Sequence, residues 1–307
     1  MDDFKHYTVM LNEAVDALNC QDGKIYVDCT LGGGGHSELI LSRISPNGKL
    51  IAFDIDDEAI RHSKDRLKKY PNLTIIKSSY TNIKKELKNI GISRITGGVI
   101  LDLGASYHQL TKAERGFSFS KEAQLDMRFD MCSDFSAYDV VNNYSETDLV
   151  RIFSEYGEER FSKRIAKKIV EVRRIKPVKT TKELADIVCM AAPRISSSIH
   201  PATRVFQAIR IEVNNELKNV NFVLHDILDL LDVGGIISVI SFHSLEDRIV
   251  KQFFKSESAK CRCNDMICKC PPPKLELVNK KPIVASVKEV NENPPSRSAK
   301  LRVARRV

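Results

Sequence analysis

Short β-branched runs alternate with helical stretches in the first third of the chain, at Ile25 to Thr30, Lys49 to Asp54, Leu73 to Lys77 and Gly97 to Leu103. Strands spaced by helices in this way predict a parallel sheet built from right-handed crossovers. After Leu103 the alternation stops and the period changes to that of helices. Leu149, Ile152, Phe153 and Tyr156 fall at i, i+3, i+4, i+7 behind Ser145-Glu146-Thr147-Asp148, a capping-box pattern with Asp in the fourth place. Phe161, Ile165, Ile169 and Val172 form a second stripe. Leu184, Ile187, Val188 and Ala191 form a third, behind Thr180-Thr181-Lys182-Glu183. Helical periodicity resumes after Pro201 and runs through Val205, Ile209, Val213 and Leu217 to about Leu231, where Gly234-Gly235 ends it. A strand returns at Ile236 to Phe242, and a helix follows at Leu245 to Phe254.

The pattern predicts an α/β fold with a doubly wound sheet. Its fourth strand leads into an all-helical insertion, residues 106–204, before the fifth strand completes a discontinuous first domain, residues 1–105 and 205–307. The tail from Ser256 onward is rich in proline and charge. It offers two closing strands, Leu275 to Val278 and Leu301 to Arg305.

Composition narrows the class. The 307 residues are 42% apolar and 29% charged, which excludes collagen and a disordered chain. Lysine and arginine outnumber aspartate and glutamate 48 to 40, a net charge of +8 that suits a polyanionic partner. The start is polar, and no apolar run approaches about 18 residues, so no membrane association is expected and the reading is cytoplasmic. The eight cysteines are then expected to be reduced.

Asp28-Cys29-Thr30-Leu31-Gly32-Gly33-Gly34-Gly35-His36-Ser37 falls where the first strand turns into the first helix. Glycines there let a ligand approach the backbone. Asp54 ends the second strand, where a carboxylate can accept both ribose hydroxyls, so the pair predicts an adenosine-containing ligand. A P-loop needs Gly-Lys-Ser/Thr, and this loop has Gly35-His36-Ser37. The dinucleotide fingerprint fits poorly, because Ser37 takes the third glycine's place and Asp28 opposes a pyrophosphate. S-adenosylmethionine has no phosphate and carries a sulfonium and an ammonium, which an acidic pocket suits. Asp102, at the end of the fourth strand, belongs on the same sheet edge as Asp28 and Asp54, where open α/β sheets bind ligands.

These segments carry a family resemblance. His6-Tyr7-Thr8-Val9-Met10-Leu11-Asn12-Glu13-Ala14-Val15, the glycine-rich segment, Ala113-Glu114-Arg115-Gly116-Phe117-Ser118-Phe119, Leu125-Asp126-Met127-Arg128, Tyr156-Gly157-Glu158-Glu159-Arg160-Phe161, His200-Pro201-Ala202-Thr203-Arg204 and Ser241-Phe242-His243-Ser244-Leu245-Glu246-Asp247 together resemble the RsmH (MraW) family. Its members are small-subunit ribosomal RNA cytosine-N4 methyltransferases. The resemblance implies a Rossmann-like methyltransferase sheet, S-adenosylmethionine as methyl donor, and a cytidine of the ribosomal decoding region as acceptor. It also implies that Gly34, Gly35 and His36 lie against the methionine part, that Asp54 binds ribose, that Tyr80 packs on adenine, and that Asp102 and Gln109 complete the site. Two departures stand out: Tyr80 replaces the family's usual phenylalanine, and Ala105-Ser106-Tyr107-His108 replaces Val-Ser-Ser-Pro before Gln109.

Methyl transfer to an amine is an in-line displacement that needs alignment and no metal. The N4 lone pair of cytosine is delocalised into the ring, so an acceptor that holds the amino group is required, and Asp102 is the candidate. Tyr107 and Phe117 are candidates for stacking the base, though both could equally be core residues and Phe117 is read rather as core, and His243 is a candidate RNA contact. Arg160, Lys163, Arg164, Lys167 and Lys168 recur on one helix face, which predicts contact with RNA phosphates. Arg297, Lys300, Arg302, Arg305 and Arg306 add to that expectation. Cys261, Cys263, Cys268 and Cys270 could chemically hold zinc, but Cys-x-Cys is tighter than the usual ligand spacing and no metal is expected. Cys20, Cys29, Cys132 and Cys189 are expected to be buried. The competing readings are a nicotinamide-dependent oxidoreductase and a non-catalytic RNA-binding assembly factor. The partner expected is small-subunit ribosomal RNA within the ribosomal subunit, bound by a monomer or a homodimer.

Overall fold

The structure, a computed structural model, describes residues 8–44, 46–104, 113–192, 200–259 and 271–307. The chain divides into two compact units, Met1–Gly104 with Leu217–Val307, and Ala105–Glu216.

The first unit is built on a sheet of eight strands. β1 (Ile25–Asp28), β2 (Lys49–Asp54), β3 (Leu73–Lys77), β4 (Gly98–Asp102) and β5 (Ile236–Ser241) are parallel, in the order β3-β2-β1-β4-β5. β8 (Lys300–Arg306) adds antiparallel to β5, and β6 (Leu275–Leu277) and β7 (Ile283–Val284) add antiparallel to β8. Both faces are covered, which explains why the parallel strands read as continuous apolar runs rather than alternating ones. Val27, Ile51, Phe53, Val99, Leu101 and Val239 point into one core cluster, whereas Tyr26, Leu50, Ala52, Ile100, Ile236 and Ile240 point into the other. This is the period-two alternation of a strand read out on two buried sides.

Four helices of this unit place the candidate site. α1 (Leu11–Leu18) buries Ala14, Val15 and Leu18. α2 (Gly35–Arg43) follows β1, α3 (Asp57–Leu67) follows β2, and α4 (Ile83–Asn89) follows β3 through a 3-10 turn at Tyr80–Asn82. Asp56 caps α3 by accepting from the Glu58 amide at 2.9 Å.

The second unit is helical: α5 (Ala137–Asn143), α6 (Glu146–Glu155), α7 (Ser162–Arg173), α8 (Thr181–Ala191) and α9 (Ala202–Asn214). Leu149, Ile152, Phe153, Ile165, Ile169, Leu184, Val188, Val205 and Ile209 share one core. Two of the expected caps are present. Ser145 accepts from the Asp148 amide, and Thr180 forms a full box with Glu183.

The helical run after Pro201 is two helices. Asn215 adopts φ 51°, which ends α9, and α10 (Glu216–Leu230) begins at the next residue. Asparagine tolerates the left-handed conformation, so an apolar period that continues through the break conceals it. The apolar face of α9 belongs to the core of the helical unit, which therefore extends to Glu216. In the first unit, α11 (Ser244–Glu257) follows β5, and α12 (Val287–Glu292) precedes β8. Among the described residues no helix is long and apolar enough to cross a membrane.

Candidate functional site

Parallel strands end together, so the last residues of β1, β2 and β4 share one rim. Those residues are Asp28, Asp54 and Asp102. Asp28 pairs in register with Ala52 on one side and Ile100 on the other, which puts it between the other two acids.

The glycine loop is held from behind by α3. Ser63 Oγ donates to the Gly32 carbonyl at 2.7 Å, and an Arg66 guanidinium N–H donates to the Gly33 carbonyl at 3.0 Å. The same arginine pairs with Glu38 at 2.8 Å. Gly34 sits at φ 78° before the first residue of α2, a conformation that disfavours any side chain. Gly35 is constrained by space instead, because a Cβ there would lie 1.9 Å from Thr8 Oγ1. Backbone thus lines this edge of the rim because side chains do not fit.

Asp54 accepts from the Gly32 amide at Oδ2 (2.8 Å) and from the Asp56 amide at Oδ1 (2.9 Å), and the Ile55 amide also favours its charged form. A carboxylate offers about four lone pairs over its two oxygens, so acceptor capacity remains for hydroxyls. Burial nevertheless raises its pKa, against the lowering by those amides. Asp28 is almost fully buried. It accepts from Ser37 Oγ at 2.7 Å and from the Thr30 amide at 3.0 Å. Burial pushes its carboxyl up to about 6, the hydrogen bonds from Ser37 and Thr30 offsetting part of the rise.

Asp102 is the most strained electrostatically. Burial, then the charges of Asp28 and Glu246, hold its pKa well above the ordinary carboxyl range. Its amide donates to Thr30 Oγ1 at 2.7 Å, which ties the end of β4 to the β1 turn. Oδ2 lies 3.9 Å from His36 Nδ1. Oδ1 is buried with no hydrogen-bond partner among the described residues, a costly arrangement unless a ligand supplies one. His36 Nε2 lies 3.1 Å from the Val9 carbonyl and must donate, since a carbonyl can only accept.

Tyr80 occupies the 3-10 turn at the end of β3, half-buried against the sheet core. Gln109 and Tyr107 lie outside the described residues, as do Cys261, Cys263, Cys268 and Cys270. The remaining candidates divide between structural and surface positions. Phe117 is a core residue of the helical unit, stacked on Phe129 at 5.5 Å between ring centres. His243 caps α11 and lies 3.1 Å from Glu246, a structural task that its neighbours in sequence do not reveal. Lys163, Arg164 and Lys167 are exposed on α7, and Arg160 is exposed just ahead of it. Arg302 is not a surface cation: it is buried and bidentate to Asp247 at 2.6 and 3.2 Å, because alternate residues of β8 face inward. Of the isolated cysteines Cys29 is buried, whereas Cys132 is exposed.

A doubly wound α/β unit with a glycine loop and three acids on one rim of its strand ends, carrying a helical unit between β4 and β5, is the class that fold and site define. The loop has no lysine to meet a phosphate, and the acids of the rim favour a cationic ligand. The chain belongs to the MraW methylase family, which matches residues 3–307. It is 51% identical over 307 residues to the ribosomal RNA small subunit methyltransferase H of Caldicellulosiruptor bescii, covering 99% of this chain and all of that one. It is 47% identical over 311 residues to the protein of the same name from Clostridioides difficile, again covering 99% of this chain and all of the other. A solved rRNA methylase from Streptococcus thermophilus superposes with a TM-score of 0.44 at 12% identity, covering 96% of this chain and 95% of that one.

Proposed function

We propose that this protein transfers a methyl group from S-adenosylmethionine to the N4 amine of a cytidine in the decoding region of small-subunit ribosomal RNA. The observation that carries the reading is the buried Oδ1 of Asp102, without a hydrogen-bond partner among the described residues, on an acidic rim beside the glycine loop. Family membership and the names of the full-length relatives supply the reaction class and the RNA.

The crevice fits the donor chemically. Asp54 has free lone pairs for ribose hydroxyls, the Gly34–Gly35 backbone and His36 border the space for the methionine part, Tyr80 offers a ring to adenine, and the acids offset positive charge. Gln109 is the family's further contact. When bound, the donor supplies an electrophilic methyl carbon on a positively charged sulfur. A cation there favours the ionised forms of Asp28 and Asp102, whose pKa values burial has raised. Ionised Asp102 accepts a hydrogen bond from the N4 amino group, which draws the lone pair out of conjugation and towards the methyl carbon. The N–C bond forms as the S–C bond breaks, the bonding pair stays on sulfur, and the amine proton passes to Asp102 or to water. The acceptor base must leave its stack for this geometry, at less cost in a single-stranded segment. The exposed Lys163, Arg164 and Lys167 on α7 hold RNA through its phosphates.

Thermal unfolding with added ligands tests the donor assignment. S-adenosylhomocysteine is expected to raise the Tm in a concentration-dependent way, and NAD to leave it unmoved. Stabilisation by NAD alone contradicts the reading.

A further inference from the structure

A cavity of about 270 Å³ opens in the sheet unit, lined by Phe242, His243, Ser244, Val284 and the segment Arg297 to Lys300. It lies off the carboxyl end of β5, the strand beside Asp102: Ile240 pairs in register with Asp102, and Phe242 follows two residues on. Strand geometry puts Phe242 about 8 Å from Asp102, a separation that one nucleotide spans. The Phe242 ring also faces the Gly104 backbone, where a Cβ would meet it at 3.8 Å.

The charges around this cavity leave a cation over. Asp247 is shared by Arg302 at 2.6 Å and by Lys300 at 3.4 Å, so one carboxylate answers two cations. Glu246 is occupied by the Phe242 and His243 amides, at 2.9 and 3.3 Å, and its Oε1 lies 3.1 Å from His243 Nε2, which makes no hydrogen bond among the described residues. Arg297 is exposed, and no acceptor among the described residues engages it. An exposed guanidinium beside a half-neutralised ammonium, hydroxyls from Ser244 and Ser298, and an apolar wall of Phe242 and Val284 match a phosphate with its attached sugar and base.

We propose that this cavity holds a phosphodiester of the substrate RNA, one nucleotide from the target cytidine, with Arg297 and Lys300 on the phosphate and Phe242 against the neighbouring nucleotide. The assignment rests on the methyl-transfer reading and deepens it, since it names residues outside the donor crevice that fix the register of the strand. Arg297 supplies the test because no internal partner is lost when it is removed.

RNA affinity and KM are measured across a salt series for the wild type, for Arg297→Ala and for Lys280→Ala, an exposed cation of the same unit outside the cavity. Arg297→Ala is expected to weaken RNA binding about fivefold near 0.1 M salt and to flatten the slope of log K against log salt by about 0.7 to 1. S-adenosylhomocysteine affinity should not move. Replacing single linkages near the target by uncharged methylphosphonates should then find one position that weakens the wild type and leaves Arg297→Ala indifferent. An unchanged slope in Arg297→Ala, an equal loss in Lys280→Ala, or no such linkage overturns the cavity assignment while methyl transfer stands. A wild-type protein that transfers no methyl to RNA overturns the broader reading, and this one with it.

Discussion

Oδ2 of Asp102 lies 3.9 Å from Nδ1 of His36, while Oδ1 of the same carboxyl is buried without a hydrogen-bond partner among the described residues. On the proposed reading that second oxygen receives the acceptor amine. Asp102→Asn keeps the shape but loses the ability to accept at both atoms. We expect S-adenosylhomocysteine affinity to stay within about one order of magnitude and turnover to fall about 10²- to 10⁴-fold. Unchanged turnover removes Asp102 from the chemistry.

Asp28 makes the ligand-free protein sensitive to pH. Its folded pKa of about 6 stands above an unfolded value of about 3.9, so the folded state binds more protons between those limits. Stability from this group is therefore present at low pH and lost as pH rises from about 4 to about 6, by about 3 kcal/mol. Denaturant unfolding of wild type and Asp28→Asn at pH 4 and pH 7 checks the sign. The variant's stability relative to wild type should rise between the two. A parallel dependence in both proteins contradicts the burial argument.

Gly35 and Gly34 should fail differently. Gly35→Ala drives a Cβ into Thr8, and we expect a loss of about 1–3 kcal/mol with donor binding impaired. Thr8→Gly in the same chain removes all three clashing atoms and should restore much of it. Gly34→Ala instead meets backbone strain of about 1–2 kcal/mol together with close contacts to Ser63 Oγ at 3.1 Å and Leu67 Cδ1 at 3.2 Å, none of which a Thr8 change relieves. Calorimetry of the three variants separates the Thr8 clash from the cost at Gly34.

The basic face of α7 should act on RNA alone. Reversing Lys163, Arg164 and Lys167 to glutamate is expected to lower the salt slope of RNA binding by about 2, leaving S-adenosylhomocysteine affinity and the Tm nearly as they were. An unaltered slope assigns those cations to solvent.

Much of the sheet was legible because burial on both faces leaves unmistakable β-branched runs: β2 and β3 span the ranges their sequence suggests. β1, β4 and β5 stop one or two residues short of the apolar runs that mark them, but the acids that close β1, β2 and β4 were legible as candidates for one rim. Short elements stabilised by tertiary contacts were not. α1, α5, α12 and β7 carry too few residues for a period to emerge. The break at Asn215 was hidden because the apolar period runs through it. Side-chain fates such as the burial of Arg302 against Asp247 depend on β8 adding antiparallel to β5, which no local pattern encodes. The loop sequence predicted close approach to its backbone, but Thr8 filling the space above Gly35 could only be seen in three dimensions.

Transfer of isotopically labelled methyl from S-adenosylmethionine to small ribosomal subunits lacking this modification, with the labelled base mapped by mass spectrometry, tests the central claim most directly. The account expects one labelled cytidine, substituted at N4, with the label lost in Asp102→Asn. Label at carbon 5 or at a ribose hydroxyl, or no label in the presence of a donor-stabilised protein, contradicts it.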